Sequence, residues 1–254
     1  MAKGRLPGRI ALVFGLAGLI VVAIPGLWVY MMATAPVLHP HPQAAPSVTD
    51  SAPAPELAGS VDWARGIVRA HLSEKNLPGV SVAVGMDGGV LWAEGFGYAD
   101  LKDRVPVTPN HRFGIGTAST VLTSAAVGLL VEEGRLKLDE EIRKYVPEFP
   151  QKEWPVTLRH VMGHTVELLQ TPQRLSSGQQ TGYGLGWERE TVTVAGEQTV
   201  AAGHDGDLLG GMAVSLVTFP GHGLAVSVMS NISYAETNSL AVRIAEAFAK
   251  QRKQ

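Results

Sequence analysis

Hydrophobic and polar residues alternate in several short runs of this chain. Val80 to Met86 and Val90 to Tyr98 flank Asp87-Gly88-Gly89, a combination typical of a β-hairpin closed by a tight turn. Met212 to Phe219 and Leu224 to Ser230 form a second alternating pair. Because such alternation places one face of each strand in a core, these runs predict an antiparallel sheet.

Three helical patterns accompany the predicted strands. Val61 to Lys75 and Asn238 to Arg252 both repeat apolar residues three and four positions apart. Between them, His111 to Leu136 predicts a loop that leads into a strongly apolar helix, which Gly134 ends as a C-cap. Helices near both ends of an antiparallel sheet, with one buried helix between them, indicate an α+β layered domain.

The beginning of the chain has a different pattern. Ile10 to Ala33 carries no charge, is long enough for a bilayer span of roughly 20 residues, and follows Lys3, Arg5 and Arg9. We therefore expect residues 1–9 to be cytoplasmic, residues 10–33 to form a transmembrane signal anchor, and the remainder to be extracytoplasmic, periplasmic or extracellular. Cleavage as a signal peptide is the alternative, because Met32-Ala33-Thr34-Ala35 resembles a small-residue cleavage site.

A segment rich in proline and alanine follows the apolar run. Residues 34–59 have the composition of an extended, unfolded linker, and residues 60–254 are expected to form one domain. The segment contains His39 and His41, which are potential metal ligands. Ordering a flexible segment around a metal costs much conformational entropy, so the pattern favours the linker.

Composition limits the classes of function. The 254 residues are 45% hydrophobic, enough for one substantial core. The formal net charge is −2 and no block of lysine and arginine follows residue 9, so a nucleic-acid partner is not indicated. The chain contains no cysteine, which excludes a thiolate nucleophile, a cysteine-ligated metal and disulfide bonds.

A series of short motifs points to one family. Gly97-Tyr98-Ala99-Asp100, Glu133-Gly134-Arg135-Leu136 and Tyr145-Val146-Pro147-Glu148-Phe149 resemble the serine β-lactamase and penicillin-binding-protein superfamily, in particular its class C β-lactamase-related serine hydrolases. Gly182 to Trp187 and Gly203-His204-Asp205-Gly206 follow in the expected order. The resemblance extends from about residue 61 to residue 250. It implies a β-lactamase/transpeptidase-like fold, descent from acyl hydrolases and no cofactor.

Two of the three catalytic motifs of that family are altered here. The family uses Ser-x-x-Lys at the start of the buried helix, where the serine attacks a carbonyl and the lysine helps to take its proton. The resemblance places Thr117 at the serine position and Thr120 at the lysine position, and no Ser-x-x-Lys occurs elsewhere in the chain. Tyr-x-Asn is absent too. Since His164-Thr165 leads directly into Val166, we infer that most of the helical subdomain forming one wall of the cleft is missing.

The third motif survives as His204-Asp205-Gly206. On an extended strand His204 and Gly206 share a face, so the histidine can meet a substrate carboxylate or carbonyl while the glycine leaves room for it. The resemblance thus implies degenerate catalytic positions at Thr117, Thr120 and His204, and substrate-binding positions at His204 and Gly206. Helix capping is the structural alternative for the two threonines.

One further pair of residues has the spacing of metal ligands. His160 and His164 lie four positions apart on a predicted helix, as zinc-binding histidines do. The intervening residues lack the glutamate of such sites, and the resemblance explains both histidines as scaffold. We therefore predict no metal.

Three functional hypotheses remain. The first is a membrane-anchored, catalytically impaired or inactive family member that retains weak binding of a small acyl or peptide ligand. The second is a residual acyl hydrolase acting on a β-lactam, a D-Ala peptide or an ester, with Thr117 as nucleophile and His204 as base or electrostatic partner. The third is an incomplete product, whose uncovered apolar surface favours aggregation or an unknown protein partner.

Overall fold

The computed structural model describes residues 23–27, 29–30, 34–158, 177, 186–208 and 211–251. The chain divides into two compact units, Met1–Leu38 and His39–Gln254. In the first unit, residues 23–27 and 29–30 are helical, and Ile24 and Tyr30 are exposed there. Within the described ranges, no helix combines the length and the hydrophobicity that a bilayer crossing requires. Residues 10–22 of the predicted anchor lie outside these ranges.

The second unit is built on one antiparallel sheet. Its strands are β1 (Ser47–Thr49), β2 (Gly79–Met86), β3 (Gly89–Asp100), β4 (Val105–Pro106), β5 (Glu188–Val194), β6 (Glu197–Leu208), β7 (Met212–Phe219) and β8 (Leu224–Ser230). They lie in the order β1-β3-β2-β8-β7-β6-β5, and β4 also pairs with β3. The predicted hairpin of β2 and β3 is confirmed: Asp87 and Gly88 both have positive φ angles, of 51° and 78°, as a type I′ turn requires.

Two helices pack on one face of this sheet. They are α1 (Ala58–Lys75) and α3 (Thr237–Gln251), and the Ser60 hydroxyl of α1 donates a hydrogen bond to the Ala247 carbonyl of α3 at 3.1 Å. The main core lies between these helices and the sheet and contains Leu72, Phe96, Phe219, Leu240 and Ile244. The predicted α+β class, with terminal helices on an antiparallel sheet, is confirmed.

A third helix, α2 (Ser119–Glu132), packs on the opposite face of the sheet. Ala201 of β6 belongs to the main core, whereas the next residue, Ala202, packs with Val121 of α2 and Trp187. Successive strand residues point to opposite faces, so α2 must lie across the sheet from α1 and α3.

The burial of α2 is one-sided. Val121, Ser124 and Gly128 are its buried residues, whereas Leu122 is 54% exposed and Leu129 is 57% exposed. The apolar pattern predicted a buried helix, and this holds for one face only. Because apolar residues surround α2 on all sides, its sequence does not indicate which face meets the sheet.

Residues 39–49 are part of the folded unit. His39 is only 1% exposed and its ring stacks on that of Tyr98 with 6.1 Å between centroids. Strand β1 pairs with β3 at the sheet edge, and Arg69 of α1 donates hydrogen bonds to the side chains of Gln43 and Ser47. The prediction of an unfolded linker therefore does not hold from His39 onward, because edge pairing and side-chain hydrogen bonds compensate for the ordering cost.

Candidate active site

The nucleophile position of the sequence analysis lies in a short 3-10 turn, Gly116–Ala118, that leads into α2. The Thr117 hydroxyl donates a hydrogen bond to the backbone carbonyl of Asp205 in β6 at 3.1 Å. Gly116 has a φ of 51°, and a Cβ there would lie 2.8 Å from the Asp207 carbonyl oxygen. The turn is thus held directly against the backbone of β6.

Gly206 permits the same close approach from the strand side. A Cβ on this residue would lie 2.2 Å from the carbonyl oxygen of Ile115 and 2.8 Å from the backbone nitrogen of Ala118. These distances are far below van der Waals contact, so any larger residue would push the turn away from the strand. The structure therefore supplies a packing reason for this glycine, beside the predicted role of leaving room for a substrate.

Thr120 is one helical turn further along. Its hydroxyl lies 2.8 Å from the carbonyl oxygen of Thr117 and 3.4 Å from that of Gly186. A hydroxyl has a single proton, which it shares here with backbone acceptors. Thr120 thus contributes a local hydrogen bond to the turn that carries Thr117.

His204 lies in β6, just beyond the end of β5. Strand β5 pairs with β6 as far as Glu188 and Gly203, so the edge of β6 is free of β5 from His204 onward. The His204 ring nitrogen Nδ1 is within hydrogen-bonding distance of the Asp205 carbonyl oxygen. A ring that donates from Nδ1 keeps Nε2 as an acceptor.

Three of the predicted site residues share one groove beside this part of β6. The groove has a volume of about 780 Å³, and Thr117, His204 and Gly206 all line it, together with residues at the start of α3. A separate cavity of about 240 Å³ lies between residues 141–143 and 149–156 and contains none of the predicted site residues. The tertiary fold thus brings the nucleophile position and the third motif together.

The groove also contains a polar network. Asp205 lies directly opposite Ser215 in the register of β6 and β7, and the Ser215 hydroxyl donates to its carboxylate oxygen Oδ1 at 2.6 Å. Ser215 is also 2.7 Å from the hydroxyl of Thr237, and the Asn238 amide donates to Asp205 Oδ1 at 3.3 Å. The carboxylate is oriented by side chains from a neighbouring strand and from α3.

A β-lactamase family model matches residues 64–179 of the chain. The mitochondrial serine β-lactamase-like protein LACTB of Bos taurus is 39% identical over 112 residues, which are 42% of this chain and 20% of that protein. Protein flp of Staphylococcus aureus strain N315 is 31% identical over 83 residues, 33% of this chain and 17% of that protein. Over these residues the chain is similar to the serine β-lactamase family. These matches span about a fifth of the length of the curated relatives.

Solved structures with a similar fold include two hydrolase-related proteins. The octameric penicillin-binding protein homologue of Pyrococcus abyssi superposes with a TM-score of 0.54 at 16% identity, covering 74% of this chain and 77% of that one. The D-amino acid amidase of Ochrobactrum anthropi SV3 gives a TM-score of 0.52 at 15% identity, covering 76% and 99% of the two chains. At this level of identity the likeness concerns the fold.

The groove beside Thr117 is rich in carboxylates. Glu188, Asp205, Asp207 and Glu236 all line it. The ammonium group of Lys75 is 2.5 Å from Glu236, and its hydrogen bond lowers the pKa of the Glu236 carboxyl below the usual value. Glu236 is therefore ionised at neutral pH, and its charge is partly balanced by Lys75.

Other residues considered in the sequence analysis have different positions. His160 and His164 lie outside the described residues, as does the region where the missing subdomain was inferred. Across the parts of the chain that the structure describes, no group of three or more histidine, cysteine, aspartate and glutamate residues is arranged to hold a metal ion.

The network around Asp205 was not predicted from the sequence. Its one visible signal is Ser215, a hydroxyl in a largely apolar strand, which is completely buried in the structure. A buried hydroxyl needs a partner, but the sequence does not say that this partner is a carboxylate on the adjacent strand.

Proposed function

We propose that this superfamily domain binds small acyl or peptide ligands in the groove beside Thr117 without forming an acyl-enzyme. The observation that carries the proposal is the hydrogen bonding at the two altered positions. The Thr117 hydroxyl donates to the Asp205 carbonyl, and the Thr120 hydroxyl donates to the Thr117 carbonyl. Both protons are engaged with neutral backbone oxygens.

Acylation requires that the nucleophilic hydroxyl lose its proton as it attacks. A hydroxyl is a weak nucleophile unless an adjacent base accepts that proton. A backbone carbonyl cannot take up a proton near neutral pH, and Thr120 has no amine to do so. The β-branched side chain of Thr117 also has fewer accessible rotamers than serine. These points support a groove that retains binding and lacks the acylating step.

The second candidate is a residual acyl hydrolase. It is favoured by one observation, that Thr117 and His204 line the same groove. In this mechanism Nε2 of His204 accepts the proton of Thr117 while the hydroxyl attacks the carbonyl of the ligand. The Thr117 hydroxyl would first have to leave its hydrogen bond to Asp205.

Covalent labelling distinguishes the two candidates. The full chain is incubated with a fluorescent penicillin and a fluorophosphonate, in parallel with a Thr117→Ser/Thr120→Lys variant. Thr123→Ser, a matched change on the same helix, is the control. We expect labelling of the double variant only. Labelling of the unmodified chain that maps to Thr117 and is lost in Thr117→Ala would refute the non-acylating proposal and establish the hydrolase.

Membrane anchoring forms a separate part of the proposal. We infer from the uncharged run at residues 10–33 and the preceding basic residues that the chain is held by one N-terminal helix, with the domain extracytoplasmic. The exposed apolar side chains of Ile24, Leu27 and Tyr30 support it. The full chain should stay with membranes after alkaline carbonate extraction and be digested by protease from the extracytoplasmic side. Release by carbonate would contradict the anchor.

A further inference from the structure

The chain enters the second unit at one end of the sheet, where β2 and β7 begin and where β3, β6 and β8 finish. We call this the entry end. His39 is fixed there, because its ring stacks on that of Tyr98 and its carbonyl accepts a hydrogen bond from the Ser73 hydroxyl at 2.8 Å. The side-chain amide of Asn231, which follows β8, donates to the Tyr98 carbonyl at 2.9 Å. The entry point is thus tied to the ends of two strands and to α1.

Exposed apolar side chains lie at the same end. Leu101 and Val105 flank the turn between β3 and β4, Leu208 ends β6, and Tyr234 lies between β8 and α3. Each of the four is between 39% and 45% exposed. Removing apolar surface from water is favourable, and a tyrosine with an apolar ring and a polar tip suits the boundary between lipid and water.

The turn between β3 and β4 has no net charge. Lys102 and Arg104 lie within four residues of Asp100 and Asp103. Long basic side chains can lay their apolar stems on a surface and keep the charged group in water. Because the charges balance, this surface fits a zwitterionic membrane without needing anionic lipids.

The proposed membrane anchor is joined to the entry end by a short stretch of chain. Five residues separate Ala33, the end of the uncharged run, from His39, and fully extended chain of this length spans about 20 Å. A short tether of this kind gives a roughly millimolar effective concentration. Apolar contacts too weak to hold a free domain on a bilayer are therefore sufficient once the chain is anchored.

We propose that the entry end of the domain docks on the surface of the bilayer through Leu101, Val105 and Tyr234. This inference rests on the proposed membrane anchoring. The groove beside Thr117 includes Asp207 and Ala213, which face each other where β6 finishes and β7 begins. Docking therefore brings this groove close to the lipid headgroups, where it meets acyl ligands carried by the membrane.

Site-specific labelling tests the contact, because the chain contains no cysteine of its own. Leu101→Cys and Tyr234→Cys each carry an environment-sensitive fluorophore in the full chain. The labelled chains are reconstituted into phosphatidylcholine vesicles, with or without a lipid whose nitroxide quenches fluorescence at headgroup depth. Val90→Cys is the matched control, because Val90 is also exposed and lies beside the β2–β3 turn, at the opposite end of the sheet.

Flotation of the same vesicles in a density gradient measures anchoring independently of docking. Circular dichroism checks that each variant is folded, and Val105→Cys replaces either test variant that is not. We expect every chain to float, and the nitroxide lipid to remove most of the fluorescence at positions 101 and 234 and little at position 90.

Floating chains without quenching at positions 101 and 234, or with equal quenching at position 90, would overturn the docking and leave the anchor in place. Chains that do not float would overturn the proposed anchoring and this inference together. Neither result bears on ligand binding, which the covalent labels and ligands of the groove test separately.

Discussion

Replacement of Gly206 by alanine tests the contact between β6 and the turn that carries Thr117. The new Cβ would lie 2.2 Å from the Ile115 carbonyl oxygen and 2.8 Å from the Ala118 nitrogen. Both are backbone atoms, so the turn or the strand must move by roughly 1 Å to reach ordinary contact. Such overpacking lowers the free energy of unfolding by about 1–3 kcal/mol. For a domain of this size the corresponding decrease in Tm is about 2–12 °C.

The assay is thermal and urea unfolding followed by circular dichroism. Gly66→Ala is the matched control, because an added Cβ at this α1 position meets no atom within 4 Å. Alanine has a higher helix propensity than glycine, so this change should stabilise by about 0.5–1 kcal/mol. An unchanged or raised Tm for Gly206→Ala would mean that β6 and the turn do not approach each other as described. A broad, non-cooperative transition of the unmodified chain would instead favour the incomplete-product hypothesis.

Three further changes test other parts of the structure. Glu94 is 2% exposed and accepts a hydrogen bond from Arg65 at 2.7 Å. Glu94→Gln should therefore lower the free energy of unfolding, measured in urea, by about 1–3 kcal/mol. An unchanged free energy of unfolding would contradict the buried ion pair. Neither ring nitrogen of buried His39 has a hydrogen-bond partner among the described residues, so His39→Phe should be neutral or stabilise by up to about 1 kcal/mol. A large decrease in Tm would contradict this reading. The Lys75 hydrogen bond lowers the pKa of the Glu236 carboxyl in the folded protein. This pair therefore stabilises the fold at pH values above the pKa that the carboxyl has in the unfolded chain. The stabilisation is lost as the pH falls through the lower pKa of the folded protein. The Tm difference between the unmodified chain and Glu236→Gln should therefore shrink from pH 7 to pH 3, and a difference that persists in acid would exclude the ion pair as its cause.

Much of the fold could be predicted because the sequence contains local signals for it. Asp87-Gly88 identified the β2–β3 turn, since few residue pairs tolerate two successive positive φ angles. The apolar spacing of α1 and α3 located both helices. Local signals are insufficient for residues 39–49, whose proline-rich composition is typical of an unfolded linker. The pairing of β1 with β3 depends on residues about fifty positions away, which local composition does not reveal.

The candidate site divides in the same way. Motif order placed Thr117, Thr120, His204 and Gly206 at family positions, and strand alternation placed the last two on one face. The partner of the Thr117 hydroxyl lies 88 positions away, at Asp205. No local pattern indicates a contact over that separation.

By itself, the sequence determined the residue types at the predicted catalytic positions, because the presence of a hydroxyl rather than an amine at Thr120 is a property of the side chain alone. It also determined the strand and helix periods, which follow from backbone geometry. Only the tertiary structure decided which face of α2 is buried, and that the Asp205 carbonyl accepts from Thr117 while its carboxylate bonds Ser215 and Asn238. These features arise where β6, β7 and α3 meet, and the free energy of each contact depends on residues that only folding brings together.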